Sequence, residues 1–320
     1  MIIEIAVFIV SCLVLALLSG SLVKVLVKLA RYLKWREFIV GFFVMAFATS
    51  LPNLFVDINA ALRGLPQISF GDIVGGNLVD LTLVMALASL FSKKSISTKS
   101  NMVQASAIFT AVIAVLPLFL ILDQNLNRAD GAILLLAFFI YAFWIFSKKE
   151  NFKKIYSESQ KEKKTENAFW FLKNMAKLGL LLILLVGASF VVIDTAQFFA
   201  KTLGAPRALV GVLIVGLGNC LPEIYFSVIS AKKGEGWMVL GDLMGSVIVC
   251  ATLVLGIVAL IAPFQIADFS PFLIARGFTL FAVIFYLLVI RTGRQITKKE
   301  GLLLISVYIL FLLTEVFVKF

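Results

Sequence analysis

Apolar residues fill the chain in runs of about 20 positions, separated by short polar segments. A run of this length matches a helix that crosses the roughly 30 Å apolar core of a bilayer. Each run is predicted to be an α-helix, because a spanning segment must satisfy its own backbone polar groups. The chain is therefore predicted to be an all-α integral membrane protein. Ten transmembrane helices are predicted, at about 3–23, 37–62, 70–92, 102–122, 130–147, 169–200, 206–231, 237–262, 270–290 and 301–318.

The composition agrees with a membrane protein. Of the 320 residues, 61% are hydrophobic and 15% are charged, whereas a soluble domain usually carries about 25% charged residues. The clearest solvated stretch, 148–168, is rich in lysine and glutamate and lies near the middle of the chain. We expect it to be a basic cytoplasmic loop between a first five-helix repeat, 1–147, and a second, 169–320.

The positive charges are distributed unevenly between the predicted loops. The formal net charge is +11, and most lysines and arginines lie in loops that follow odd-numbered spans. By the positive-inside rule those loops are cytoplasmic, so both termini are expected outside. The basicity thus indicates orientation in a membrane, expected to be a prokaryotic plasma membrane, and not a nucleic-acid partner. The sequence gives no indication of the oligomeric state.

Histidine and cysteine usage argues against a bound cofactor or a structural metal. The chain has no histidine, the commonest ligand of transition metals. All three cysteines lie within predicted spans, with no CxxC pair, so a conventional disulfide framework is excluded. We expect no cofactor, only transported ions.

An internal repeat relates the two halves at an offset of 170 residues. Residues 41–80 align without gaps to residues 211–250, as in "ATSLPN" over "GNCLPE" and "FGDIVGG" over "LGDLMGS". The nine identities concentrate on Gly, Pro and Asp rather than on the common aliphatic residues. Five spans precede the second copy, so it enters the membrane from the opposite side. Two inverted repeats that each carry a Gly/Pro-interrupted helix pair are typical of secondary transporters.

Polar residues recur every fourth position on the helices of each repeat. Spacing of four places them on one helix face. A carboxylate at the bilayer centre costs about 2.5–3.5 kcal/mol even on a lenient scale, so the acidic members must face the interior. Carboxylate, hydroxyl, amide and carbonyl oxygens together suit hard cations such as Na⁺ and Ca²⁺. The four stripes are Thr49, Asn53 and Asp57; Asp72, Gly76 and Asp80; Asn219, Glu223 and Ser227; and Asp242, Ser246 and Cys250.

Proline and glycine receive separate interpretations. Pro52 and Pro222 are expected to free the carbonyls of Ala48 and Gly218 as cation ligands, because proline removes a helical donor. The glycines are expected to allow close helix packing. Asp72 and Asp242 each follow a glycine near a predicted helix start, so N-terminal capping is favoured over ion coordination for both.

The motifs "ATSLPN…FGDIVGGNLVD" and "GNCLPE…LGDLMGSVIVC" resemble the two repeats of the cation/calcium antiporters, which include the sodium/calcium exchangers. The resemblance covers essentially the whole chain and implies a fold of two inverted five-helix repeats. It also implies ion ligands by position. These are Thr49, Ser50, Asn53, Gly76, Asp80, Asn219, Cys220, Glu223, Ser246 and Cys250, with backbone carbonyls at Ala46 and Gly216.

The chain departs from the usual pattern of that family. Asn53 stands where the family usually has glutamate, Gly76 replaces a serine, and Asn219 and Cys220 replace Thr and Ser. Two central carboxylates, Asp80 and Glu223, still match the charge of one Ca²⁺. The resemblance therefore implies a Na⁺/Ca²⁺ antiporter, in which the first and sixth spans move against a fixed site.

Other functions fit the same scaffold. A buried acid can carry a proton, so H⁺/Ca²⁺ exchange is one alternative. Cys220 and Cys250 raise a second, an antiporter for Mn²⁺ or Cd²⁺. A channel-like or non-transporting relative is a third. None of these is an enzyme.

Overall fold

The computed structural model describes residues 2–32, 45–147, 168–266 and 270–319 and is almost entirely helical. Parts of two predictions lie outside the described residues, namely 37–44 of the second span and 148–167 of the basic loop. In chain order the helical segments are Ile2–Tyr32 (first span); Met45–Thr49 and Leu51–Leu62 (second); Pro66–Val79, a π-helical turn Asp80–Val84 and Met85–Phe91 (third); Asn101–Leu120 (fourth); Arg128–Ser147 (fifth); Ala168–Thr202 (sixth); Arg207–Val210, a π-helical turn Gly211–Val215, Gly216–Asn219 and Leu221–Lys233 (seventh); Gly236–Ile248, a π-helical turn Val249–Val254 and Leu255–Ile261 (eighth); Ser270–Arg291 (ninth); and Lys298–Lys319 (tenth).

Eight of these spans are long and apolar enough, within the described residues, to cross a membrane. The tenth, Lys298–Lys319, has 22 residues, which at 1.5 Å per residue gives about 33 Å. The second is described only from Met45, as two short helices. The prediction of an all-α membrane protein is thus confirmed.

The inverted repeat is visible in the local backbone. The second and seventh spans both end in a left-handed glycine, Gly64 at φ 69° and Gly234 at φ 82°. In each case the glycine N–H donates to the carbonyl three residues earlier, and the next N–H donates to the carbonyl five residues earlier. This glycine-dependent helix ending is a Schellman-type cap. This left-handed backbone conformation explains why both repeats have glycine at this position.

Two short antiparallel strand pairs tie the halves together. Ile96–Ser97, after the third span, pairs with Gln295–Ile296, after the ninth. Asn125–Leu126, after the fourth span, pairs with Phe264–Gln265, after the eighth. Because one pair follows odd-numbered spans and the other even-numbered spans, they lie at opposite ends of the bundle. Each pair joins a loop of the first half to a loop of the second.

The third and eighth spans form the centre of the bundle, and glycines let their neighbours approach. A Cβ atom at Gly75 would stand 2.2 Å from the carbonyl oxygen of Val212, and one at Gly71 would stand 2.2 Å from that of Ala208. The third span therefore meets the seventh backbone to backbone, which confirms the packing role predicted for these two glycines. Apolar side chains of the first, fifth and sixth spans are exposed on the outside, as a lipid-facing surface requires.

Candidate functional site

The second and seventh spans, which carry Pro52 and Pro222, are each interrupted near the proline, as predicted. The second span breaks at Ser50 and the seventh at Cys220, and in each the following helix has proline in its first turn. Proline is tolerated there because the N–H groups of the first turn have no helical partner. The residues on either side of each break face the third and eighth spans, where they form a continuous buried row that we call the polar seam. Its members are Thr49, Ser50, Asn53, Asp72, Gly76, Asp80, Asn219, Cys220, Glu223, Asp242, Ser246 and Cys250.

The first contact of the polar seam occurs twice, once in each half. The Thr49 hydroxyl donates to Asp242 Oδ1 at 2.9 Å, and the Asn219 amide donates to Asp72 Oδ2 at 2.6 Å. Thr49 and Asn219 are related by the 170-residue offset, and so are Asp72 and Asp242. The two halves therefore cross over, with the broken helix of one repeat contacting the partner helix of the other.

The second contact repeats in the same way, four residues further along each partner helix. Ser50 Oγ donates to Ser246 Oγ at 3.3 Å, and the Cys220 thiol approaches the Gly76 carbonyl oxygen at 3.6 Å. A Cβ atom at Gly76 would meet only the Cys220 sulfur, at 3.5 Å. Because Gly76 has no side chain, its half of the seam lacks the hydroxyl group that Ser246 supplies at the related position of the other half.

The third contact is where the two halves differ most. On one side, Asn53 Nδ2 donates to the Cys250 sulfur at 3.4 Å, so the pair is neutral. On the other side, Ser246 Oγ donates to Glu223 Oε1 at 3.3 Å and is also in hydrogen-bonding range of the Asp80 carboxylate. Both central carboxylates therefore converge on Ser246. Glu223 and Asp80, which come from different repeats, are thus both buried beside the same hydroxyl group.

Several buried oxygens of the polar seam receive no hydrogen bond from any residue that the structure describes. They include Asn53 Oδ1, Asp80 Oδ1 and Glu223 Oε2. A buried acceptor without a donor is costly unless a cation or proton occupies it. No three His, Cys, Asp or Glu side chains converge as a metal centre within the described ranges. The donor set is instead one of mixed oxygens, the kind that hard cations accept.

The role predicted for the proline-freed carbonyls is wrong for Ala48. Its carbonyl oxygen accepts a hydrogen bond from Ser19 Oγ of the first span at 3.2 Å, so it has a partner outside the polar seam. Its counterpart Gly218 packs against the first span as well, since a Cβ atom there would lie 2.6 Å from the Cys12 sulfur. The first span thus covers both breaks.

The carbonyls implied by the family resemblance, at Ala46 and Gly216, lie two residues earlier in each span. The Ala46 carbonyl oxygen lies 3.1 Å from the Thr49 hydroxyl and 2.8 Å from the Ser50 hydroxyl, each of which has one proton to share between Ala46 and its partner in the seam. Gly216 packs against Gly76, and its carbonyl accepts the Cys220 N–H at 3.3 Å. Both residues are buried beside the seam.

Capping by Asp72 and Asp242, the interpretation favoured from the sequence, is also wrong. Their helices begin at Pro66 and Gly236, so both aspartates lie inside the helix by more than one turn. The third span was predicted to begin at residue 70, which placed Asp72 too close to a terminus. Both carboxylates belong to the seam through Asn219 and Thr49.

Asp57 lies one turn beyond the polar seam and is fully buried. Its carboxyl group lies beside the Asp72 carboxyl group, and neither of its oxygens receives a hydrogen bond from a described residue. Ser69 had no signal in the sequence, because it breaks the four-residue spacing of its helix. Its hydroxyl donates to the Asp57 backbone carbonyl at 3.0 Å.

Two further acids lie toward the ends of the sixth and tenth spans and differ in burial. Asp194 is exposed and forms an ion pair with Arg63 at the end of the second span. Glu315, in contrast, is fully buried. The tenth span therefore turns Glu315 toward the bundle.

A helical bundle of two interlocked inverted repeats, with a buried seam of carboxylate, hydroxyl and amide groups at their crossing, is the architecture of a secondary transporter for cations. The family model described as "Sodium/calcium exchanger protein" matches residues 3–147 and 173–317. The chain belongs to this family, whose members are transporters of Na⁺ and Ca²⁺ and not enzymes.

Named relatives and a solved structure agree with this assignment. The chain is 26% identical over 338 residues to the sodium/calcium exchanger MaX1 of Methanosarcina acetivorans, covering 92% of this chain and 93% of that protein. It is 26% identical over 289 residues to the inner membrane protein YrbG of Escherichia coli, covering 86% and 85%. The fold matches that of the sodium-calcium exchanger NCX_Mj soaked with Na⁺ and Sr²⁺, with a TM-score of 0.67, 23% identity and 97% of each chain covered.

Proposed function

We propose that this protein exchanges Ca²⁺ for Na⁺ across a membrane by alternating access. The observation that carries the proposal is the convergence of Asp80 and Glu223 on Ser246, with donor-free oxygens on both carboxylates. Two carboxylates balance one Ca²⁺ in charge, and hydroxyl, amide and carbonyl oxygens are ligands that Ca²⁺ accepts in a flexible shell. The name of the relative MaX1, a sodium/calcium exchanger, supports the same choice of ions.

In this proposal Ca²⁺ binds between Asp80 and Glu223, and Na⁺ occupies overlapping oxygens to displace it. The remaining proposed ligands are Thr49, Ser50, Asn53, Asn219 and Ser246, the carbonyls of Ala46 and Gly216, and, as weaker neighbours, Cys220 and Cys250. Because the pair related to Glu223 and Asp80 by the repeat is Asn53 and Cys250, the binding charge is concentrated on one side. We therefore expect fewer bound Na⁺ than a seam with acids on both sides would hold.

Movement of the first and sixth spans would open the polar seam to either side. The first span lies along the sixth and contacts both breaks, at Ala48 through Ser19 and at Gly218 through Cys12. A shift of the first span along its axis would change the contacts of both broken helices together. The proposal retains the division into repeats at 1–147 and 169–320, with the loop between them cytoplasmic and both termini outside.

Imposed ion gradients test the coupling ion. We expect the full-length protein in proteoliposomes to accumulate radiolabelled Ca²⁺ when a Na⁺ gradient is imposed at a clamped membrane potential. A pH gradient alone should drive no uptake above that of protein-free vesicles. Uptake driven by the pH gradient and not by Na⁺ would replace the proposal with H⁺/Ca²⁺ exchange.

The two seam cysteines allow a test of metal selectivity. Cys220 and Cys250 are buried in the seam, but sulfur is a poor ligand for Ca²⁺ and a good one for softer metals. We expect the double variant Cys220→Ser/Cys250→Ser to keep Na⁺-driven Ca²⁺ uptake, because a hydroxyl fits each site. Loss of Cd²⁺ or Mn²⁺ uptake larger than that of Ca²⁺ would instead indicate a soft-metal antiporter. The single variant Cys12→Ser, outside the seam, controls for effects on folding.

A further inference from the structure

A second group of buried oxygens lies at the edge of the polar seam, where Asp57 adjoins Asp72, a member of the seam. Their side chains are 0% and 1% exposed, and the two carboxyl groups are close neighbours. The ion site proposed between Asp80 and Glu223 does not use the carboxylate of Asp57 or of Asp72. In the region that the structure describes, both Asp57 oxygens and Asp72 Oδ1 have no hydrogen-bond donor.

A third side chain completes this group from the other repeat. The Asn219 amide donates to Asp72 Oδ2 at 2.6 Å, which fixes the amide against the two carboxylates. Asn219 is fully buried, and its own oxygen, Oδ1, has no hydrogen-bond partner among the described residues. The Ser69 hydroxyl adds a further oxygen beside the Asp57 carboxylate.

Electrostatics requires a positive charge in this place if both acids are ionised. Two carboxylates in contact repel each other, and their burial removes the screening of water. No lysine or arginine forms an ion pair with either of them in the described part of the chain. Carboxylate, amide and hydroxyl oxygens, without sulfur or nitrogen, are ligands of hard cations.

We propose that Asp57, Asp72, Ser69 and Asn219 form a second binding site for a hard cation, Na⁺ or Ca²⁺, distinct from the site at Asp80 and Glu223. Asp57 lies five residues before the end of the second span at Leu62, and Asp72 lies six residues after the start of the third at Pro66, or about 8–9 Å along each helix. The second site is thus between that end of the bundle and the centre. Asp72 and Asn219 belong to both the site and the polar seam and link them.

The second repeat does not reproduce this site. The residue related to Asp57 is Ser227, and the Asp242 carboxylate accepts the Thr49 hydroxyl. Only one carboxylate remains at the equivalent place. The first repeat thus has Asn53 where the second has the acid Glu223, and it carries an acid, Asp57, one helical turn further along.

Ion counting on the full-length protein tests the second site. Equilibrium binding of ⁴⁵Ca²⁺ in Na⁺-free buffer, and of ²²Na⁺ in Ca²⁺-free buffer, is measured per chain in detergent. We expect Asp57→Asn and Asp57→Ser each to bind one ion fewer than the wild type in at least one arm of the experiment, the ⁴⁵Ca²⁺ assay or the ²²Na⁺ assay. The arm in which the ion is lost identifies the cation that the second site binds. Asp57→Ser installs the side chain of the related position and serves if the asparagine variant does not fold, as judged by size-exclusion chromatography.

Matched variants separate this proposal from the proposed function. Glu223→Gln should lose the central ion and retain the ion at Asp57, whereas Asp194→Asn, an exposed aspartate on the sixth span, should keep the wild-type count. If Glu223→Gln binds as many ions as the wild type, the proposed central site is wrong, and the second site is not contradicted by that result. If both Asp57 variants bind as many ions as the wild type in both arms, the pair shares only a proton and the second site is wrong.

Discussion

Glu223→Gln is expected to reduce Na⁺-driven Ca²⁺ uptake by at least about 100-fold. Leaving one member of a buried charged set without its partner costs about 3–5 kcal/mol, and 1.4 kcal/mol is a factor of ten in affinity. The amide keeps the size of the side chain and can still contact Ser246, so the loss would come from charge. The measurement is initial ⁴⁵Ca²⁺ uptake into proteoliposomes at several external Ca²⁺ concentrations.

A control for this variant is available at the surface. Glu235→Gln changes a glutamate in the turn between the seventh and eighth spans, which makes no side-chain capping bond, and should leave uptake unchanged. Near-wild-type uptake by Glu223→Gln would show that the convergence of Asp80 and Glu223 on Ser246 does not form the transport site.

Gly75→Ala is expected to destabilise the whole bundle. The added methyl group would stand 2.2 Å from the Val212 carbonyl oxygen, and 2.7 Å from the Val212 Cα atom. These are backbone atoms of a buried helix, which cannot move away without shifting the seventh span. We expect about 3 kcal/mol of destabilisation or more, the upper part of the range for overpacked cores, and a lower midpoint of thermal unfolding in detergent.

Gly187→Ala is the matched change on the sixth span. No heavy atom lies within 4 Å of a Cβ atom at Gly187, and alanine favours helix over glycine, so the midpoint should stay constant or rise. Equal midpoints for the two variants would mean that the third and seventh spans are not in backbone contact.

The runs of apolar residues were enough to predict the helical fold, and the repeat together with the cost of buried charge was enough to predict that its acids lie inside the bundle. The start of the third span at Pro66 was missed, although proline in a first helical turn is a known start signal. That error moved Asp72 toward a helix end and produced the wrong capping interpretation. Contacts made by tertiary packing alone, such as Ser19 with Ala48 and Ser69 with Asp57, leave no spacing in the sequence that could reveal them.

The two strand pairs were also absent from the prediction, for a different reason. Each strand has two residues, and the partners are more than 130 positions apart in the chain. Two residues cannot display the alternation by which a strand is recognised. Only the assembled bundle brings these loops together.

Those strand pairs restrict the ways in which the protein can open. Each pair joins the two halves by backbone hydrogen bonds, and one pair lies at each end of the bundle. A clamshell motion that parted the halves would have to break the backbone hydrogen bonds of a pair on whichever face was opening. In the proposed mechanism, the spans joined by these pairs would therefore stay together as one frame, and we expect the helices that have no such pair to move relative to it.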